Sequence, residues 1–187
     1  MTVDELINKI KGADKDERGK AWQEAASVGP GAIQPLAKLA AEKDMEVARA
    51  ATRAIGKIVH HVGRPGAGGE KDAALKELLA ALAGGLPAAV QREILWMVSE
   101  LPGADAAVGP IAALLANGEL RDDARMVLER MPGEKSLAAL KTALAGAPAE
   151  FKPAVAHSLR VRGVEVPGVP EVKLVPTKPT TVKPVGR

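Results

Sequence analysis

The chain has 187 residues, of which 47% are hydrophobic and 26% are charged, and its formal net charge is +3. This length suits one domain with a sizeable core and is too short for two independent domains. The aromatic residues are Trp22, Trp96 and Phe151 alone, which argues against the repeated stacking platforms that single-stranded nucleic acid requires.

Charge, cysteine content and hydropathy narrow the class of protein further. Residues 164–187 hold four basic and two acidic side chains, which leaves 22 basic and 21 acidic side chains in residues 1–163. A DNA-binding surface needs many phosphate contacts, and residues 1–163 are nearly neutral, so we expect no nucleic-acid partner. No apolar run approaches the roughly 18 residues of a membrane span, and the first residues lack the pattern of a secretory signal. The absence of cysteine excludes disulfides and thiolate metal sites, and it fits a cytoplasmic location.

An apolar pattern recurs five times along residues 1–163, at a starting position and then 4, 8 and 11 residues later. At about 100° per residue, these four positions share one face of a helix. The clearest copy consists of Val47, Ala51, Ile55 and Ile58, and a degenerate copy starts at Glu17. The remaining copies start at Val90, Leu120 and Phe151. The pattern predicts helices near residues 17–28, 44–62, 88–101, 119–131 and 150–162.

A shorter amphipathic segment precedes each of these helices, so each repeat is predicted to be a hairpin of a first and a second helix. The first helices are expected at residues 3–11, 32–41, 72–82, 106–116 and 136–145. In four repeats a glycine or proline at the same position would end the second helix. These residues are Gly29, Pro102, Pro132 and Gly163. In the other repeat the second helix runs on to Val62 and is followed by a glycine-rich insertion at residues 63–69.

The composition changes after Gly163. Residues 164–187 contain five prolines and cannot continue the helical pattern, so we expect an extended or disordered tail. The alternative is that residues 169–175 run along the last repeat as a cap. The sequence therefore predicts an all-α solenoid of about five helical hairpins, with one domain in residues 1–163 and a Pro-rich tail in residues 164–187.

The segment from Asp44 to Ile58 carries a resemblance to a known family. With Val47, Arg49, Ala51, Ile55 and Gly56 in their places, it resembles the short HEAT-like repeat found in phycobilisome lyase subunits and in many bacterial proteins. The resemblance extends over roughly residues 1–163. It implies an α-α superhelix whose second helices line the concave side. It also implies a protein-binding scaffold, with a catalytic role in a minority of the family.

In such a superhelix, positions +2, +6 and +9 of the second helices should face the concave groove. Trp96 and Met126 both lie at +6 and are predicted to form an apolar anchor for a partner. The alternative is that Trp96 packs sideways against a neighbouring second helix. His157 occupies the same position in the last repeat and is included in the predicted partner-binding set, although simple exposure to solvent would also explain it.

A basic stripe is predicted beside this anchor. Arg49, Arg53 and Arg92 lie at +2 or +6 of two successive second helices, and Lys57 flanks them. Their guanidinium groups could hold an acidic peptide or a phosphate through forked contacts. The alternative is structural ion pairing, since the resemblance implies an inter-repeat salt-bridge ladder for the arginine at the position of Arg49. The available partners are Asp44, Glu46 and Glu93.

Catalytic and metal-binding patterns are missing from the sequence. His60 and His61 would point about 100° apart on a helix and could not face one metal ion. No His-Glu pair of the kind that binds iron in some HEAT-like enzymes occurs, and no Gly-x-Ser-x-Gly elbow or phosphate-binding loop is present. We expect no metal, no cofactor and no enzymatic activity.

The sequence thus favours a non-enzymatic scaffold that binds a protein or peptide segment in its concave groove. An alternative, based on the resemblance alone, is a lyase or lyase-chaperone subunit that acts on a tetrapyrrole-carrying protein. A third is a nucleic-acid-binding superhelix, against which the nearly neutral body argues. The identity of the partner and the oligomeric state do not follow from the sequence.

Overall fold

The computed structural model describes residues 1–101 and 105–172. The chain is 72% helical, and the described residues include no strand, which confirms the predicted all-α class. Ten α-helices form five consecutive hairpins in this part of the chain. The first helices are α1 (Val3–Lys11), α3 (Ile33–Leu39), α5 (Gly69–Ala83), α7 (Asp105–Ala113) and α9 (Glu134–Gly146). The second helices are α2 (Lys15–Glu24), α4 (Met45–Val62), α6 (Ala88–Ser99), α8 (Arg121–Arg130) and α10 (Lys152–Val161).

Several helix ends are fixed by local hydrogen bonds. The Asp44 carboxylate accepts hydrogen bonds at 2.9 and 3.2 Å from the first free amides of α4, and Asp14 caps α2 in the same way. At the other end of the chain, Gly163 has a φ of 78°, a left-handed conformation that glycine adopts without strain. There the amide of Val164 donates to the carbonyl of Leu159, so that α10 ends in a Schellman turn.

Neighbouring second helices contact each other from α2 to α10, and neighbouring first helices do so from α3 to α9, whereas α1 packs chiefly against α2 and α4. The core lies between these two rows. The four residues that define the clearest copy of the apolar pattern are at most 4% exposed. Buried alanines on most of the helices allow close approach of their neighbours. No single hairpin could bury its apolar face alone, so the stack forms one continuous core.

The first copy of the apolar pattern departs from the others. Glu17, its predicted starting position, is exposed, and Val28 is only half-buried because α2 ends at Glu24 and continues as a 3-10 turn over Ala25–Ser27. Among the second helices, α2 packs chiefly against α4, and the side of α2 that carries Glu17 remains in water.

The Pro-rich tail is only partly described. Residues 164–172 contain no helix or strand, whereas Pro102 and residues 173–187 lie outside the described residues. The division into a domain of residues 1–163 and a tail of residues 164–187 therefore stays a prediction. None of the helices in the described ranges combines the length and the apolar character needed to cross a bilayer.

Candidate binding surface on the second helices

The outward sides of α2, α4, α6, α8 and α10 form a surface that we call the second-helix face. It contains all six residues that the sequence predicts to bind a partner. Arg49, Arg53, Arg92, Trp96 and His157 are exposed, whereas Met126 is half-buried and packs against the core. The structure therefore places the six residues on one side of the stack, and their role in binding stays a prediction.

Trp96 lies on α6 and leaves 51% of its surface in solvent. The guanidinium of Arg130, the last residue of α8, lies 5.0 Å from the centre of its indole ring. Arg130 is held in turn by Glu100, at 2.8 Å between Nη2 and Oε1. The indole thus contacts a neighbouring second helix and still leaves half of its surface in solvent, and its role as an anchor stays a prediction.

Position +9 does not face outward on α6 as the sequence analysis expects. Ser99 is buried, and its hydroxyl donates a hydrogen bond of 2.6 Å to the carbonyl oxygen of Trp96. The buried arc of α6 is wider than the apolar pattern indicates, because α5 and α8 cover the helix from two sides. The exposed strip of α6 is correspondingly narrow and has Arg92 and Trp96 along it.

Two of the predicted arginines are engaged in ion pairs. Arg49 contacts Glu46, one turn earlier on α4, at 3.2 Å. Arg92 reaches across to the next repeat, where its Nε lies 3.5 Å from Asp123 and its Nη2 donates to the carbonyl oxygen of Glu119 at 2.9 Å. Arg49 therefore pairs with one of the predicted partners, whereas Arg92 pairs with the next repeat instead. All of these contacts are exposed enough for solvent to weaken them.

Arg53 behaves differently. Its guanidinium lies 5.5 Å from the ring centre of Trp22 on α2, and the ammonium group of Lys57 lies 5.8 Å from the same ring. In the described ranges, Arg53 is the one arginine that has neither a hydrogen bond nor a carboxylate partner. Trp22 is not among the predicted binding residues, because the first repeat is degenerate and Trp22 lies at +5 of its apolar pattern rather than at +6.

A shallow depression lies between α4 and α6 beside Arg53. These two helices approach each other at fewer points than α2 and α4 or α6 and α8 do. The depression has a volume of about 280 Å³. Arg49, Thr52 and Arg53 form one wall and Glu93 forms the other. The depression therefore carries two cationic groups and one carboxylate on its walls.

Between α8 and α10, the second-helix face carries a hydrogen-bonded cluster instead of an exposed arginine. Nη1 of Arg125 lies 3.1 Å from the carboxylate of Glu129 and 2.6 Å from the hydroxyl of Ser158, which itself donates to Glu129 at 2.6 Å. Arg125, Glu129 and Ser158 thus hydrogen-bond to one another within a mostly buried cluster, although the buried Nε of Arg125 has no hydrogen-bond partner. The acidic side chains of α8, which are Asp122, Asp123 and Glu129, are thus all paired with arginines of the second helices.

Metal-binding groups are not assembled on the described ranges, where no cluster of three or more His, Asp or Glu side chains could hold an ion. His60 and His61 are exposed at the end of α4, and His61 lies 4.0 Å from Glu70. Glu70 chiefly contacts Arg64 at 2.9 and 3.0 Å, and these hydrogen bonds hold the pKa of its carboxyl below the ordinary value.

Comparison with known proteins gives structural neighbours but no family. No protein-family model matches the sequence, and no curated protein is similar enough to count as a relative. Similar solved structures include two engineered proteins from the Northeast Structural Genomics Consortium and a designed armadillo repeat protein. Membership of the phycobilisome-lyase-type repeat family therefore stays a prediction.

The likeness to these three structures is distant. The engineered proteins are 20% and 18% identical, with TM-scores of 0.44 and 0.48. The alignments cover 85% of this chain and 78% and 80% of theirs. The armadillo design is 13% identical with a TM-score of 0.33, and 85% of this chain matches 99% of it. The assignment of the fold rests on the helices and contacts described above.

Proposed function

We propose that the protein is a non-enzymatic scaffold that binds a segment of a protein partner along the second-helix face, which would be the concave side of the superhelix. The observation that carries this proposal is the half-exposed indole of Trp96, oriented by Arg130. A cytoplasmic location and kinship with the HEAT-like repeats belong to the same proposal. They are supported by the absence of cysteine and by the motif from Asp44 to Ile58.

Trp96 has the physical properties of an anchor residue. A tryptophan offers a large apolar area with few rotatable bonds, so little conformational entropy is lost when a partner covers it. The contact with Arg130, which Glu100 fixes, restricts the ring before binding. Binding energy at protein interfaces is concentrated in a few residues of this kind.

The test is the variant Trp96→Ala, examined for both stability and binding. Because half of the indole is already in water, we expect the free energy of unfolding to fall by no more than about 1 kcal/mol. Loss of an anchor should weaken partner binding by about 2 kcal/mol or more. Urea unfolding measures the first quantity, and titration with a partner recovered by affinity capture measures the second.

Val161→Ala is the matched control, since Val161 is an exposed apolar residue near the end of α10. It should leave both quantities near their wild-type values. A loss of about 3–5 kcal/mol of stability for Trp96→Ala, as for a buried tryptophan, with unchanged affinity per folded molecule, would contradict the proposal.

A further inference from the structure

We infer that Arg53 and Lys57, together with Trp22, form a binding site for the carboxylates of an acidic peptide segment. We call these three residues the Trp22 site. The inference rests on the proposed function, because it names the chemistry of the segment that the second-helix face would bind. The Trp22 site lies on α2 and α4, away from the Trp96 anchor on α6.

The unsatisfied hydrogen-bonding capacity of Arg53 is the first observation. A guanidinium has five N–H donors, and those of Arg53 have no acceptor among the residues that the structure describes. The other described arginines all donate to carboxylates, hydroxyls or backbone carbonyls. These are Arg18, Arg49, Arg64, Arg92, Arg121, Arg125, Arg130, Arg160 and Arg162. Arg53 is therefore the arginine with its full donor set available to a ligand.

The second observation is that Arg53 and Lys57 share one aromatic ring. They are separated by four residues on α4, so their charges lie on the same side of the helix and repel each other. The ring of Trp22 attracts both cations through its quadrupole but carries no net charge to neutralise them. An anion placed between the two cations would remove this repulsion.

The third observation is that the guanidinium is held in place before a ligand arrives. Stacking on Trp22 restricts the long side chain of Arg53, whose planar fork matches the two oxygens of a carboxylate. The adjoining depression, with Arg49 and Thr52 on the same wall, extends the site along α4. A peptide that lies there could present one carboxylate to Arg53 and another to Lys57.

The surrounding charges favour a peptide over a nucleic acid. Glu93 forms the opposite wall of the depression and would repel a continuous row of phosphates. Residues 1–163 carry a net charge of only +1, from 22 basic and 21 acidic side chains, so they provide no broad positive field. Separated carboxylates on a flexible chain can avoid Glu93, whereas a uniformly charged backbone cannot.

The experiment measures the binding of a fluorescein-labelled oligoglutamate peptide to the full chain by fluorescence anisotropy, with oligoglutamine as the uncharged comparison. We expect binding of oligoglutamate alone. Arg53→Gln and Lys57→Gln should each weaken this binding about fivefold, as expected for an exposed charge-assisted contact. Lys76→Gln on α5 is the matched control, because it removes one exposed positive charge from a first helix. It should leave the affinity unchanged.

The inference would be overturned if oligoglutamate did not bind, or if Lys76→Gln weakened its binding as much as Arg53→Gln does. Equally tight binding of a DNA oligonucleotide that also depends on Arg53 would overturn it as well. Circular dichroism of each variant should match the wild type, since only exposed charges are removed. Arg53→Lys keeps the charge but not the fork, so it should bind between the wild type and Arg53→Gln.

The Trp96→Ala variant separates this inference from the proposed function. It leaves the Trp22 site intact and should bind oligoglutamate like the wild type. Loss of partner binding in Trp96→Ala but not in Arg53→Gln would overturn the inference and support the proposed function. Conversely, the inference would be supported and the proposed function overturned if oligoglutamate binding depended on Arg53 while no partner's binding depended on Trp96.

Discussion

Arg125 has the least exposed side chain of the ion-paired cations in the described ranges, with 14% of its surface in solvent. Its partner Glu129 is 21% exposed, and Ser158 on α10 hydrogen-bonds to both. This cluster connects two successive second helices. Because Arg125 and Glu129 are both largely shielded from water, removal of one leaves the other as a poorly solvated charge. The exposed pair of Arg49 and Glu46 lacks this property.

Arg125→Met should therefore be much more destabilising than its exposed counterpart. We expect a loss of about 2–3 kcal/mol in the free energy of unfolding, because Glu129 keeps its charge but loses its cationic partner. Arg49→Met, which breaks a pair whose arginine is 57% exposed, should cost no more than about 1 kcal/mol. Urea unfolding of both variants checks this difference, and equal losses would show that the cluster contributes no more than a surface pair.

At the scale of elements, the connection between α4 and α5 is held by a local contact. The Arg64 guanidinium spans the loop of residues 63–68 and pairs with Glu70 in the first turn of α5. It also donates to the carbonyl oxygen of His61 at 2.7 Å. The hydrogen bonds from Arg64, and secondarily its charge, lower the pKa of the Glu70 carboxyl. The start of α5 is thereby linked to the end of α4.

This contact makes the loop sensitive to acid. A carboxyl whose pKa is lower in the folded state stabilises the fold above its unfolded pKa, about 4.3 for glutamate, and this contribution is lost as the pH falls through the folded value. We expect the amides of Glu70 and Lys71, which bond to the carbonyls of Ala67 and Gly68, to lose hydrogen-exchange protection below about pH 4.

Glu70→Gln should produce the same loss of protection at neutral pH, because the neutral amide holds Arg64 weakly. Glu134→Gln, at the first residue of α9, is the control and should not affect these amides. Unchanged protection in Glu70→Gln would mean that the backbone alone fixes the loop. Protection factors corrected for intrinsic exchange rates are the quantity to compare.

At the scale of the whole molecule, α10 is the last helix of the described ranges. The residues that directly follow it cover part of the last hairpin. Val164 and Val166 are partly buried against the core, and Arg160 donates to the carbonyl oxygens of Val166 and Val169. The described beginning of the Pro-rich segment therefore contacts the last hairpin. The cap predicted for residues 169–175 lies partly outside the described residues and stays a prediction.

Truncation after Gly163 should lower stability while the helices persist. We expect a loss of about 1–2 kcal/mol from the two valines and the carbonyl acceptors of Arg160. Far-ultraviolet circular dichroism should remain that of a helical protein. Truncation after Val172 keeps all these contacts and is the matched control in urea unfolding. A truncated protein as stable as this control would show that residues 164–169 do not act as a cap.

Much of the fold could be predicted because its determinants are local. The burial of Val47, Ala51, Ile55 and Ile58 follows from helical periodicity, which is a property of the chain itself. The caps at Asp14 and Asp44 likewise involve residues two or three positions apart. The predicted partner-binding residues also lie on one side of the stack, since the same periodicity that buries one face exposes the other.

The contacts that give the candidate surface its chemistry depend instead on how one hairpin is seated on the next. Arg53 and Trp22 are a full repeat apart in sequence, as are Arg92 and Asp123, and both pairs form across neighbouring second helices. A shift of one helix by a single turn would exchange the partners of every such arginine. The sequence by itself determines which face of each helix is buried, through local periodicity. The tertiary packing alone decides which arginine is paired and that Arg53 is left available, because that choice depends on the register between helices.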